Sequence, residues 1–305
     1  LNRMAVTTVT LPPSLLLAMS PDDLPTLRAI AAVGESCPKE VVERWAGDDR
    51  KVINGYGPTE NTVCSTLNIC KQDRSDPAIG GPMDGVRAYV VDSRAQLVPQ
   101  GVPGELCLGG IALARGYMGQ PGQTAECFTP DPFSADPGAR LYRTGDRVRW
   151  LTDGTLQFIG RIDDQIALRG FRIEPGEIEA ALLRHDKFVE AAVILHTGTG
   201  DRPRLVAYLN CPDLARAPTM GDCAAFLRLS LPDYMIPQSF VLLDGFPRTP
   251  NGKLDRNALP EPGDDANSEA FVAPATKEEL VLAAAWSDAL GTRDIGIHNN
   301  FFALG

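Results

Sequence analysis

The 305-residue sequence has no run of about 18 apolar residues, so it offers no transmembrane helix. It opens on Leu1 without a basic segment leading into an apolar one, so no signal peptide is read. Seven cysteines occur, but no Cys-x-x-Cys pair; Cys64 and Cys70 are the nearest. That spacing excludes a disulfide framework and a cysteine-rich zinc site. Reduced thiols in the cytoplasm are the expectation, and the lack of any Asn-x-Ser/Thr sequon agrees with it. The only histidines, His185, His196 and His298, lack metal-ligand spacing and are assigned packed or solvated structural roles. Basic charge is short: 29 Lys and Arg against 39 Asp and Glu, a net charge of −10. This excludes a basic nucleic-acid-binding surface. Gly-x-x-x-x-Gly-Lys-Ser/Thr, Gly-x-Gly-x-x-Gly, Gly-x-Ser-x-Gly and His-Glu-x-x-His are all missing.

What is present is globular. Hydrophobic residues make up 44% and charged residues 22%, enough for a buried core and for about two domains. The 29 glycines and 25 prolines imply many turns. The chain starts at Leu1 and stops inside the apolar run Phe301-Phe302-Ala303-Leu304-Gly305, so both ends read as cuts through a longer chain.

Residues 1–67 read as α/β. Val6–Thr10, Leu27–Val33 and Lys51–Ile53 are strand-like, and Ser14–Met19 and Lys39–Trp45 suit helices, the second with Pro38 at its first position. The strand at Lys51 runs into the sharp turn Asn54-Gly55-Tyr56-Gly57-Pro58. From 68 to 162 short apolar runs recur at Arg87–Val91, Glu105–Leu108, Arg147–Leu151 and Thr155–Ile159. Gly80-Gly81, Asp84-Gly85, Pro103-Gly104 and Asp153-Gly154 separate them, which predicts an antiparallel sheet or barrel. Residues 163–259 read as a compact α+β unit. It has helices at Pro175–Leu183 and Ala224–Leu229, and strands at Val189–Leu195, Leu205–Leu209 and Phe240–Leu243. Residues 260–272 form a polar linker, and Lys277–Leu290 a last helix capped by Thr276.

The chemistry-bearing loops are built from Gly, Thr, Asp and Arg. In order they are Asn54-Gly55-Tyr56-Gly57-Pro58-Thr59-Glu60, Gly104-Glu105-Leu106 with Ala114-Arg115-Gly116-Tyr117, and Tyr142-Arg143-Thr144-Gly145-Asp146. Gly160-Arg161-Ile162-Asp163-Asp164-Gln165 follows, then Arg169-Gly170-Phe171-Arg172-Ile173-Glu174-Pro175-Gly176-Glu177-Ile178-Glu179, and finally Asn251-Gly252-Lys253-Leu254-Asp255-Arg256. Taken singly, the first is a turn after a strand, each arginine a surface ion-pair residue and Lys253 a solvated turn residue. Taken in order, the set resembles the adenylation domain of nonribosomal peptide synthetases, a branch of the adenylate-forming enzymes, over nearly the whole chain.

The resemblance implies the end of an α/β core subdomain (1–67), a β-barrel-like subdomain (68–162) and a small mobile α+β subdomain (163–259). A linker (260–272) and the truncated start of a helical carrier domain (273–305) follow. It implies ATP and Mg²⁺ as cofactors. Tyr56 would pack on adenine with Gly55 and Gly57 in the same nucleotide-facing turn, Thr59 would touch phosphate and Glu60 would hold the metal, as a hard cation on phosphates prefers. Asp146 would accept both ribose hydroxyls, and Arg161 and Arg172 would contact phosphate or ribose. Lys253 would enter the active site as the catalytic lysine, binding substrate carboxylate and α-phosphate and stabilising charge as oxygen attacks phosphorus. Asp163 falls at the hinge position. Ala167 stands where the family usually has Lys, a departure that removes any local salt bridge made by that Lys. Positions matching the substrate pocket are Thr10, Ala31, Val33, Gly55, Val63 and Cys64, with Lys253. None of the first six is charged, and an ionised side chain buried unpaired is costly, so a bulky neutral amino acid, aromatic or large aliphatic, is expected.

Asn300-Phe301-Phe302-Ala303-Leu304-Gly305 matches the family's lead-in to the phosphopantetheine-bearing Ser, which would lie beyond Gly305. The implied partners are the amino-acid substrate, the carrier in cis, neighbouring synthetase modules and a small helper protein, with no nucleic acid and no membrane. The family's phosphate loop and its amino-group-binding Asp would lie upstream of Leu1, so the 305 residues are expected to be inactive alone. Two competing readings stand beside this one: an acyl- or aryl-acid ligase of the same superfamily, and a non-catalytic interaction module.

Overall fold

The computed structural model describes residues 2–72, 76–168, 170–197, 203–249, 252–262, 272–290 and 295–297. They fall into two units, Leu1–Arg172 and Ile173–Gly305.

The first unit begins with strands β1 (Thr8–Leu11), β2 (Ala29–Val33) and β3 (Lys51–Tyr56), separated by helices α1 (Pro13–Ala18) and α2 (Lys39–Trp45). β1, β2 and β3 are parallel neighbours, and β4 (Thr66–Ile69) and β5 (Gly81–Pro82) extend the sheet antiparallel. Alternation along β2 explains the layering. Ile30 and Ala32 are buried, while Ala31 and Val33 are only partly so. The buried face packs on Val41, Val42 and Trp45 of α2 and Leu16 of α1. The Trp45 indole is completely enclosed and donates to the Leu16 carbonyl at 2.8 Å, so its N–H is not left unsatisfied. Pro38 lies one residue earlier than expected. Its ψ of 154° is extended, which makes it the N-cap of α2 rather than the first helical residue.

A second sheet follows: β6 (Val86–Val91), β7 (Gly104–Gly110), β8 (Phe128–Pro130) after helix α3 (Pro121–Cys127), β9 (Arg140–Trp150) and β10 (Leu156–Arg161). The order is β10-β9-β7-β6, all antiparallel, with β8 also on β9. Of the sheet-or-barrel expectation, the open sheet is what forms: among the described residues β6 and β10 do not pair with each other. β7 is central and its residues Glu105–Gly109 are all buried. Leu106 and Leu108 pack with Val90, Val148 and Leu156. The Asp153-Gly154 turn joins β9 to β10, with Gly154 at φ 80°. A short ribbon, β11 (Ile166–Leu168) and β12 (Phe171–Ile173), ends at the unit boundary, which falls inside β12, nine residues after Asp163.

The second unit has helix α4 (Pro175–Leu182), strands β13 (Glu190–His196) and β14 (Arg204–Asn210), helix α5 (Met220–Arg228), strand β15 (Ser239–Leu243) and helix α6 (Lys277–Leu290). β14 lies between antiparallel β13 and parallel β15 and is buried from Leu205 to Leu209. α5 starts four residues earlier than the sequence suggests, because Thr219 and Asp222 form a reciprocal capping box. Thr276 caps α6 as expected, its Oγ1 accepting from Glu279 N at 3.2 Å. His185 packs its ring against Phe188 and Phe226, and His196 pairs with Glu261 at 2.7 Å, as structural roles require. His298 lies outside the described residues.

Leu106 is fully enclosed at the centre of the second sheet, while Leu97 is 56% exposed. Leu106→Ala should lower unfolding free energy by about 2–5 kcal/mol. Leu97→Ala should change it by less than about 0.5 kcal/mol. Urea denaturation of both variants checks this, and equal losses would contradict the assigned core.

Candidate active site

β3 carries Gly55 and Tyr56 to its C-terminal end, and the chain then folds back on itself. A Cβ on Gly57 would lie 2.7 Å from Cys64 Cα, Ser65 N and Val63 O, so only glycine fits this close backbone approach. The returning segment is tied by Ser65 N to Tyr56 O at 2.8 Å and by Thr62 Oγ1 to Ala112 O at 2.7 Å. Thr62 and Val63 sit at φ 49° and 63°, a costly conformation for β-branched residues. The result is an inward Glu60, 8% exposed, and an exposed Thr59.

Asp146 lies on β9, where Tyr142, Thr144 and Asp146 share one face by strand alternation. Thr144 Oγ1 donates to Leu106 O at 2.8 Å and accepts from Asp146 N at 2.9 Å, which fixes the carboxylate's backbone. One carboxylate oxygen accepts from the Tyr56 hydroxyl and the other from Arg161 Nη1 at 2.8 Å. Arg161 also grips Asp163, Nε to Oδ1 at 2.6 Å, with a second bond from Nη2 to Oδ2. So the structure joins Tyr56, Asp146, Arg161 and Asp163 in one chain of contacts. Burial pushes the Asp146 carboxyl above its usual range, against the opposing pull of Tyr56 and Arg161. Burial and the Asp146 charge push the Tyr56 hydroxyl well up, so it stays a donor.

Glu60 heads a second network. Its Oε2 pairs with Arg172 Nη1 at 2.8 Å, its Oε1 accepts from Tyr117 OH at 2.5 Å, and Arg172 Nη2 donates to Tyr142 OH at 3.1 Å. Burial alone would raise the Glu60 carboxyl, but Tyr117 and Arg172 outweigh it and hold it below the ordinary value. Burial pushes Tyr142 up to about 12 and Tyr117 further up, so both remain protonated donors. Tyr117 and Tyr142 lie inside the quoted motifs without an assigned role. The one signal available was that Tyr142 shares a β9 face with Asp146.

The expected pocket positions are partly contiguous. The parallel register sets Thr10 beside Ala31 and Val33 beside Gly55, all on the sheet face opposite Trp45. A Cβ on Gly55 would meet Val33 Cγ1 at 2.7 Å and Cys64 Sγ at 3.3 Å. Val63 points away into solvent at 78% exposure. Lys253 belongs to the second unit, exposed in a turn where Gly252 has φ 78° and Thr249 N donates to Lys253 O at 2.8 Å. Arg169, Asn251 and Asn300–Gly305 lie outside the described residues.

The family model described as AMP-binding enzyme matches residues 1–118, and that described as AMP-binding enzyme C-terminal domain matches 177–253. The chain belongs to the AMP-binding enzyme family. It is 42% identical to tyrocidine synthase 2 of Brevibacillus parabrevis over 99% of its length, and 45% identical to phosphinothricin tripeptide synthetase PhsC of Streptomyces viridochromogenes over 100%. It spans 8% and 28% of those two proteins. A solved structure of holo-PA1221, an NRPS protein containing adenylation and PCP domains, matches 99% of the chain and 50% of its own at TM-score 0.73 and 27% identity. Among the described residues no helix is long and apolar enough to cross a membrane.

The metal expected in this AMP-binding enzyme can be tested against the donors. Among the described residues no group of three or more His, Cys, Asp or Glu could hold an ion. Glu60 is a single carboxylate, which suits Mg²⁺ carried on nucleotide phosphates rather than caged by protein.

The Asp146–Arg161 pair makes a pH-dependent prediction. An acid whose folded-state value is raised favours folding when protonated and disfavours it as pH rises through that value. Arg161→Met removes a group that opposes the rise. It should cost roughly 3 kcal/mol at a pH well above the raised Asp146 value, where the carboxylate is ionised, and less at a pH below it, where the carboxyl is protonated. Urea denaturation at both pH values measures the difference; a loss that does not depend on pH would detach Arg161 from Asp146.

Proposed function

We propose that this chain is part of the adenylation domain of a nonribosomal peptide synthetase. Its reaction joins an amino acid to ATP: a substrate carboxylate oxygen attacks the α-phosphorus, the bond to the β-phosphate oxygen breaks and pyrophosphate leaves, giving aminoacyl-AMP. A carrier thiol on phosphopantetheine then takes the aminoacyl group and AMP departs. The observation that carries the reading is the Tyr56–Asp146 contact at the end of β3. It sets an aromatic ring and a buried carboxylate side by side, the pair that an adenosine needs for its base and its ribose hydroxyls.

The remaining residues take roles that fit their chemistry. Arg161 pairs with Asp146, opposes the rise that burial imposes on its carboxyl, and keeps it in place. Thr59 is exposed at the same turn and free to meet phosphate. Mg²⁺ held by Glu60 would neutralise phosphate charge. Lys253 sits on a glycine turn, and its flexible stem suits insertion beside the reacting carboxylate. Asp163 remains the proposed hinge; its contact with Arg161 ties that hinge to the nucleotide carboxylate. The neutral residues Thr10, Ala31, Val33, Gly55, Val63 and Cys64 favour a bulky uncharged amino acid, aromatic or large aliphatic. Residues 273–305 are read as the beginning of the carrier domain, with α6 as its first helix, and neighbouring modules and a helper protein as partners.

Two measurements on the intact protein test this. Lys253→Ala should reduce amino-acid-dependent ATP–pyrophosphate exchange by roughly 10²-fold or more. Near-unchanged exchange would remove Lys253 from the reaction, and an intact protein without exchange for any acid would favour the interaction-module reading. In a substrate panel, exchange should peak on a neutral bulky amino acid. A peak on Asp, Glu, Lys or Arg would overturn the pocket assignment, and a peak on an acid lacking an amino group would move the protein to the acyl- or aryl-acid ligases.

A further inference from the structure

Glu60 is expected to receive a divalent cation, yet both of its oxygens are already engaged. Oε1 takes the neutral Tyr117 hydroxyl at 2.5 Å and Oε2 takes the Arg172 guanidinium at 2.8 Å. The carboxylate side chain is 9% exposed, so water offers it little compensation, and the arginine supplies its counter-charge. Arg172 is less enclosed, at 39% exposure, and its other end rests on the Tyr142 hydroxyl at 3.1 Å. The two partners of Glu60 therefore differ in kind. Tyr117 is a neutral donor fixed by its own loop: its backbone N–H binds Thr124 Oγ1 at 2.9 Å and its ring packs edge-on against Phe128. Arg172 is a cation on a long stem at the last position of the first unit, directly before Ile173.

A cation arriving on Glu60 would face the guanidinium across one small carboxylate, with little water to screen their repulsion. Tyr117 carries no charge and need not move. From this geometry we infer that Arg172 is an internal counter-cation that holds Glu60 until a metal–nucleotide displaces it, while Tyr117 is a positioning residue that keeps the carboxylate aimed in both states. The inference rests on the reading of Glu60 as the metal residue. Arg172 also acts electrostatically on Asp146, so its departure reaches the ribose carboxylate as well.

The test uses the intact protein, Mn²⁺ as the metal and a non-hydrolysable ATP analogue, with binding measured by calorimetry and bound Mn²⁺ by electron paramagnetic resonance. The quantity read is the factor by which Mn²⁺ tightens analogue binding. Arg172→Gln should raise that factor by about five-fold or more, because no internal cation competes. Arg172→Lys keeps the charge and should stay near the wild-type factor. Glu60→Gln should abolish the factor. Tyr117→Phe should lower it and broaden the Mn²⁺ signal. If Arg172→Gln leaves the factor unchanged or lowers it while Glu60→Gln abolishes it, the displacement is wrong and the metal role of Glu60 stands. If Glu60→Gln retains the full factor, the metal role itself fails. Trypsin supplies a second readout that does not depend on nucleotide. Cleavage after Arg172 should be about three-fold faster in Glu60→Gln than in wild type, since the side chain loses its ionic partner while its bond to Tyr142 remains. Equal rates would show that Glu60 does not hold Arg172.

Discussion

A carboxylate taken out of water must find a counter-charge or lose its proton, and two such carboxylates organise the first unit. Asp146 is 6% exposed and Glu60 is 8% exposed. Each has one arginine and one tyrosine as partners. The matching is physical economy: the guanidinium supplies charge and the phenol a neutral hydrogen bond, so both lone-pair regions are used without crowding two cations together. The outcomes nonetheless differ. Burial wins at Asp146, whose carboxyl rises, while the partners win at Glu60, whose carboxyl falls. Arg161 divides its bonds between two carboxylates, Asp146 and Asp163, whereas the Arg172 guanidinium bonds Glu60 and the neutral Tyr142 hydroxyl, so in these bonds Glu60 shares its arginine with no second acid.

The backbone exists to bring these groups together from distant parts of the chain. Tyr56 and Asp146 are 90 residues apart and Glu60 and Arg172 are 112 apart. The parallel strands deliver Tyr56 to one end of their sheet, where Gly57 allows the chain to double back against Cys64 and Ser65. β9 supplies the other half by placing Tyr142, Thr144 and Asp146 on one face. Neither sheet alone holds a site. The strained Thr62–Val63 step is explained by the same need: turning Glu60 inward requires a reversal within a few residues, and the ties to Ala112 and Ala114 stabilise it.

Much of the local structure was legible in advance. α2 runs from Lys39 to Trp45 as read, because Val41, Val42 and Trp45 mark one helical face. β13, β14 and β15 each fall within a residue of the apolar runs that announced them. What escaped was decided by partners rather than by local pattern. α3, Pro121–Cys127, has no buried residue and so no apolar face to betray it. β4 alternates weakly and becomes a strand because β3 lies beside it. In the site, the motifs named Tyr56, Glu60, Asp146, Arg161 and Arg172, but which arginine meets which carboxylate is a fact of tertiary register. Tyr117 and Tyr142 show the limit clearly. A tyrosine reads as a packing residue until the carboxylate or guanidinium that faces its hydroxyl is known.

The site is satisfied by its own side chains, so on the proposed roles ligand binding would be an exchange of partners rather than the filling of an unmet need. An isolated buried carboxylate aimed at a nucleotide would be costly to fold, whereas one paired with a partly exposed arginine is tolerated. For Asp146 the exchange would be hydroxyl for hydroxyl, ribose replacing the Tyr56 phenol, and Arg161 can stay because ribose brings no charge. For Glu60 it would be cation for cation, and Arg172 cannot stay. The difference in incoming charge assigns Arg161 the part of a fixed support and Arg172 that of a displaceable one, although both are arginines bonded to a buried acid at 2.8 Å.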